Sequence, residues 1–99
     1  MMQLPEVNAA AKIAAQAKLP AGMQVLRAES KAVSDAEGKE ALRVLLVLDD
    51  AAGQRDLGDA ALSVIVAVLD ALQQRGETRF PIIEFATNAE LQADADPES

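Results

Sequence analysis

The 99-residue sequence contains no histidine, cysteine, tryptophan or tyrosine, and its only aromatic residues are Phe80 and Phe85. Without cysteine there is no disulfide and no thiol nucleophile; without histidine there is no imidazole base and no His-assisted triad, and Cys or His metal sites go with them. Long apolar runs are missing too. The longest, 60–69, is interrupted by Ser63 and falls well short of the roughly 18 to 20 residues that a membrane helix requires. The first residues, Met1-Met2-Gln3-Leu4-Pro5-Glu6, have no basic segment leading into an apolar one, so no export signal is visible and a cytoplasmic location is expected.

Half of the residues are apolar, but 21 of them are alanine, which leaves 29 larger side chains to build a core. At about 1.5 to 3 kcal/mol per fully buried large side chain, against about 1 to 2 kcal/mol of backbone entropy per ordered residue, such a core is marginal alone. Association with another surface is therefore expected, a homodimer first, since two-fold pairing is the commonest way for a small domain to cover surplus apolar area.

Charge is lopsided. Residues 1–48 hold six basic and five acidic side chains (net +1), whereas 49–99 hold three basic and eleven acidic (net −8), for a total of −7. A nucleic-acid ligand needs a dense Lys/Arg footprint, and the sparse set Arg27, Lys31, Lys39 and Arg43 does not supply one, so nucleic acid is not expected as a partner. An acidic surface favours solubility and steers the protein toward basic partners.

Periodicity suggests six elements. Pro5 and the alanine-rich stretch 6–18 suit a helix with Ile13 as its one large anchor, ended by Leu19-Pro20. Alternation over 23–33, with Arg27, Glu29 and Lys31 on one side and Leu26, Ala28 and Ala32 on the other, predicts a half-buried strand. A turn at 34–38 uses Gly38 at positive φ. The run Val44-Leu45-Leu46-Val47-Leu48 ends a second strand, 39–48, and suits a central position covered on both faces. Pairing even positions with even ones sets Leu26 opposite Leu46, Ala28 opposite Val44, Glu29 opposite Arg43 and Val25 opposite Val47.

A helix is expected over 57–75, with Asp56 as N-cap and Gly76 just past its end. Its apolar sector is wider than one sheet needs. A third strand, 80–86, is held to an edge or a strand start by Pro81. Thr87-Asn88-Ala89-Glu90 then opens a short last helix as a capping box. Residues 1–92 form one domain by this reading, and 93–99 an acidic disordered tail. The fold class is α+β: a two-layer sandwich with a three-stranded mixed sheet, a hairpin plus a βαβ crossover in order 1-2-3. One long helix covers one face, alongside an N-terminal alanine-rich helix.

Two kinds of site emerge. Asp49, Asp50, Asp56 and Asp59 follow the end of the central strand, where α/β proteins place ligands, and are candidate ligands for Mg²⁺ or Ca²⁺. Their spacing fits neither an EF-hand loop nor a phosphate loop, and a strand end followed by a helix cap explains the same residues. Val25, Leu45 and Val47 on the reverse sheet face, with Leu62, Val66 and Leu69 on the long helix, are candidate partner contacts. Ser30, Ser34 and Ser63 have no base arranged beside them. The expectation is a non-catalytic, cofactor-free interaction protein: a homodimeric adaptor, a small acidic chaperone or an antitoxin-like partner of another protein. The alternative is a metal-dependent enzyme or ligand-binding regulator using the acidic loop.

Overall fold

The structure, a computed structural model, describes residues 2–49 and 59–95. The elements run α1 (Leu4–Lys18), β1 (Val25–Ser34), β2 (Glu40–Leu48), α2 (Asp59–Gln74), β3 (Phe80–Thr87) and α3 (Asn88–Ala95). The sheet has the order β1-β2-β3, antiparallel between β1 and β2 and parallel between β2 and β3. This is the mixed α+β architecture expected from the periodicities.

Leu42, Val44, Leu46 and Leu48, at alternate positions of β2, are buried in one cluster with Val64, Val68 and Leu72 of α2 and Val7, Ala10, Ala11 and Ala15 of α1. Both long helices thus share the even-numbered face of the central strand. Ile83 and Phe85 of β3 pack against the same cluster, which assigns Phe80 and Ile82 to the opposite face.

Ile13 is a correction. It is 68 % exposed, and the buried stripe of α1 is Val7, Ala10, Ala11 and Ala15, at the 3- and 4-residue intervals of one helical face. Small side chains let α1 lie close against α2, so backbone contact does what the large anchor was expected to do.

The hairpin register is a second correction. Ala28 lies opposite Leu46, Glu29 opposite Leu45, Ser30 opposite Val44 and Lys31 opposite Arg43, two residues away from the expected pairing. Parity survives this slip, so Ala28 keeps its inward face. A bulge between Val25 and Arg27 then turns Val25 into the core and Leu26 outward. At the bulge the Gln16 side chain of α1 accepts the Val25 N–H at 2.8 Å and donates to the Met23 carbonyl at 3.0 Å. Gln16→Ala is expected to cost about 1 to 2 kcal/mol and to speed amide exchange at Val25, both measurable by denaturant titration and hydrogen exchange.

The element ends follow local chemistry. Asp35 Oδ1 accepts the N–H groups of Glu37 and Lys39, each at 2.9 Å, and Gly38 takes φ +82° as anticipated. Gly76, at φ +93°, ends α2 with its N–H donating to the Gln73 carbonyl, while that of Glu77 donates to Leu72; this pair of bonds satisfies carbonyls that a helix end leaves open. The capping box forms: Glu90 N–H donates to Thr87 Oγ1 at 3.2 Å and Thr87 N–H to Glu90 Oε1 at 3.3 Å. Residues 93–95, expected in the tail, continue α3; 96–99, like the proposed Asp56 cap, lie outside the described residues.

Candidate functional site

The face of the sheet turned away from α1 and α2 carries Arg27, Glu29 and Lys31 from β1, Arg43 and Leu45 from β2, and Phe80, Ile82 and Glu84 from β3. The two-residue slip rearranges its charges. Glu29, expected across from Arg43, sits across from Leu45 and lies 3.8 Å from Arg27. Arg43 faces Lys31 on one side, and its guanidinium turns to β3, where Nε and Nη2 both engage the Glu84 carboxylate, Nη2 at 3.1 Å from Oε2. The hydrogen bond to Arg43 holds the Glu84 carboxyl below the usual carboxylate range, and the same bond raises Arg43 further. A bidentate pair of this geometry fixes orientation more than a single contact would.

Around that pair lies a recess of about 460 Å³ bordered by Lys31, Arg43, Leu45, Glu84, Ala86 and Leu91. Leu91 comes from α3, so the last helix supplies one wall. Beside the recess Phe80 and Ile82 are 68 % and 39 % exposed. The face therefore presents the Arg43–Glu84 charge pair beside accessible apolar side chains.

Of the six candidate contact residues, Leu45 is half-buried on this face, and Leu62 and Val66 are 65 % and 57 % exposed on α2, with Leu69 half-buried beside them. Val25 and Val47 are buried, Val25 because of the bulge, and neither belongs to the accessible surface. The sequence offers either Ile83 and Phe85 or Ile82 and Phe80 for this face, and the structure places Phe80 and Ile82 there together with Glu84. The alternation of β3 left two faces open, and only the parallel pairing with β2 selects between them.

Of the acidic set, Asp49 is half-buried, its N–H donating to the Gln24 carbonyl at 3.0 Å, and its Oδ1 is enclosed without a hydrogen-bond partner among the described residues. Asp50 and Asp56 lie outside the described residues, as does the side chain of Asp59. Among the described residues no group of three or more acidic side chains converges on one point. Ser30 is occupied structurally: its hydroxyl lies 2.6 Å from Asn8 Oδ1 and 3.3 Å from the Leu4 carbonyl.

A second ion pair is built into the fold. Glu77 and Arg79, in the connection from α2 to β3, have side chains 1 % and 8 % exposed. Arg79 Nε donates to Glu77 Oε2 at 3.0 Å, Nη2 to Oε1 at 2.8 Å, and Nη2 also to the Met2 carbonyl at 2.9 Å. Glu77 accepts the backbone N–H groups of Met2, Thr78 and Arg79 as well. The hydrogen bond from Arg79 is the main reason its pKa is lowered to about 2. This cluster ties the start of α1 to the start of β3. No pattern of periodicity marks it in the sequence, because the two residues lie in a connection.

The fold defines a small α+β domain with an open sheet face. Searches against models of protein families, curated proteins and solved structures found no match to this chain. Among the described residues no helix is long and apolar enough to cross a membrane.

Proposed function

We propose that this protein is a non-catalytic cytoplasmic interaction module: a homodimeric adaptor, small acidic chaperone or antitoxin-like protein that holds another protein against its open sheet face. The observation that carries this reading is the pairing of a fixed Arg43–Glu84 couple with the accessible Ile82 and Phe80 on the same face. Aromatic and aliphatic anchors beside an oriented charge pair supply affinity and register together. The net charge of −7 favours a basic partner by electrostatic steering. Nucleic acid is disfavoured, because Arg27, Lys39 and Arg43 each have a carboxylate within ion-pair distance.

The test is a tagged pull-down from native cytoplasm, run in parallel with the wild-type chain and with Ile82→Asp, which alters an accessible side chain. The expected result is one stoichiometric protein retained by the wild type and lost by the variant. Equal retention by both, or none by either, overturns the reading.

One observation favours the metal alternative, the enclosed and unpartnered Asp49 Oδ1, since such an oxygen is costly unless something donates to it or binds it. On that reading millimolar Mg²⁺ or Ca²⁺ stabilises the chain, by about 2.7 kcal/mol at a hundred times the dissociation constant, and Asp49→Asn removes the effect. Melting curves that do not move with either ion dispose of it.

A further inference from the structure

We infer that the free edge of β3 is where the partner is held, and that it accepts an extended, apolar segment of another protein with a basic residue set beside Glu84. The inference rests on the interaction-module reading above and names the mode and the chemistry of that contact.

The backbone fixes which groups are open. At the two ends of β2, Asp49 N–H donates to the Gln24 carbonyl and the Lys39 carbonyl accepts the Asp35 N–H. The odd-numbered residues of β2 therefore turn their backbone groups toward β1 and the even-numbered ones toward β3. The parallel register sets Leu42 beside Pro81, Val44 beside Ile83 and Leu46 beside Phe85. In a parallel ladder each such residue bonds to the two residues flanking its aligned partner, here Phe80, Ile82, Glu84 and Ala86. Pro81, Ile83, Phe85 and Thr87 are left pointing outward. Two features agree with that parity: Pro81 has no N–H to leave unpaired, and the Thr87 N–H donates to Glu90. Between proline and capping box a short window remains, made of the Pro81 carbonyl and both backbone groups of Ile83 and Phe85. Beyond β3 there is no further strand among the described residues. Alternating donors and acceptors along a strand edge are complemented by an extended chain. The other edge is blunted, because β1 carries Arg27, Glu29 and Lys31.

The side chains beside the window set the sequence of its occupant. On the open sheet face Phe80 and Ile82 are accessible. On the other face Ile83 and Phe85 pack against the core yet are only half-buried, since no strand lies next to them. A segment laid along the edge covers both sides at once, with apolar residues beside Ile82, Ile83 and Phe85. The one charged side chain of β3 is Glu84. Its carboxylate is oriented by Arg43 and retains lone pairs for another donor. A Lys or Arg placed beside it on the added segment makes the opposite-charge neighbour that stabilises a sheet, and a basic segment suits a chain of charge −7.

A second copy of this chain fits the edge poorly. The antiparallel pairing that uses both Ile83 and Phe85 of each copy sets Glu84 directly across from Glu84, like charge on like. Shifting it by one step in either direction brings in Pro81, which has no N–H, or Thr87, whose N–H is taken.

The probe is the acetylated hexapeptide amide Val-Lys-Val-Val-Thr-Val, whose lysine falls beside Glu84 when it lies antiparallel on the window, together with its counterpart carrying glutamate for lysine. Hydrogen exchange is followed residue by residue on the full chain. At about 1 mM lysine peptide the Ile83 and Phe85 amides should exchange about ten-fold more slowly, with the outward amides of β1 unchanged. The glutamate peptide should bind about five-fold more weakly. Glu84→Gln, a substitution on the open face whose fold circular dichroism checks, should remove that difference. Equal binding of the two peptides to the wild type, or slowing spread alike over β1 and β3, overturns the inference. Perturbation of Ile82 and Leu45 without slowing at Ile83 and Phe85 overturns the edge and leaves the sheet-face reading standing. No binding of either peptide overturns the edge as well, and the pull-down with Ile82→Asp then decides the sheet-face reading separately.

Discussion

Arg79→Ala should destabilise the folded chain by about 3 to 5 kcal/mol, because it strands the Glu77 carboxylate in a buried site. Glu77 is almost wholly enclosed and Arg79 nearly so, and Arg79 also holds the Met2 carbonyl. The start of α1 should therefore loosen with the loss. Glu77→Ala is expected to cost at least as much, since it leaves the N–H groups of Met2, Thr78 and Arg79 without their acceptor. Chemical denaturation measures both, and a loss under 1 kcal/mol for Arg79→Ala would mean that the pair is not enclosed as described. The same site predicts a pH dependence. The Glu77 pKa is about 2 in the fold against 4.5 unperturbed, so its contribution is fully present above about pH 4.5. It declines as pH falls and is lost on passing through about 2. Glu77→Gln should flatten that limb of the stability curve.

Leu46→Ala is the second large effect, expected at about 2 to 5 kcal/mol. Leu46 lies in the middle of the central strand, has no exposed surface and is clustered with side chains from both long helices, so a cavity there has rigid walls on several sides. The complementary change, Ala11→Leu, should cost about 1 to 3 kcal/mol by overpacking, because Ala11 is buried in the stripe that lets α1 approach α2. Adding volume and removing it should both destabilise, and thermal melts of the two variants test this together. If Ala11→Leu proved neutral, the close helix contact would be wrong.

What was legible in this sequence was whatever repeats along it. Alternation marked the strands, and Gly38, Gly76 and the Thr87–Glu90 box marked turns and helix ends through interactions spanning a few residues. The pairing register was legible only to its parity. A slip of one residue would turn Arg27, Glu29 and Lys31 onto the apolar side of β2, whereas a slip of two leaves every side chain on its face. The observed register brings hydrogen bonds from Asp35 in the turn and from Gln16 on α1, neither of which an alternation pattern records.

The candidate surface divides in the same way. Leu62 was identified from the helical period as the flank of an apolar sector too wide for one sheet, and Val66 as an apolar residue inside the polar arc. Val25 and Val47 were placed on the surface because alternation has no information about a bulge or about what covers a face. The Arg43–Glu84 couple joins β2 to β3 across 41 positions, and the Glu77–Arg79 knot reaches 75 positions back to Met2. By itself the sequence determined the elements, their order, the inward side of β2, and the exclusion of thiol and imidazole chemistry, all of which depend on residue type and short-range spacing. The tertiary structure alone decided the register, the inward turn of Val25, the alanine contact between α1 and α2, and the charges that meet on the open face. Those are set by groups that become neighbours only when distant segments pack, and a local period carries no record of them.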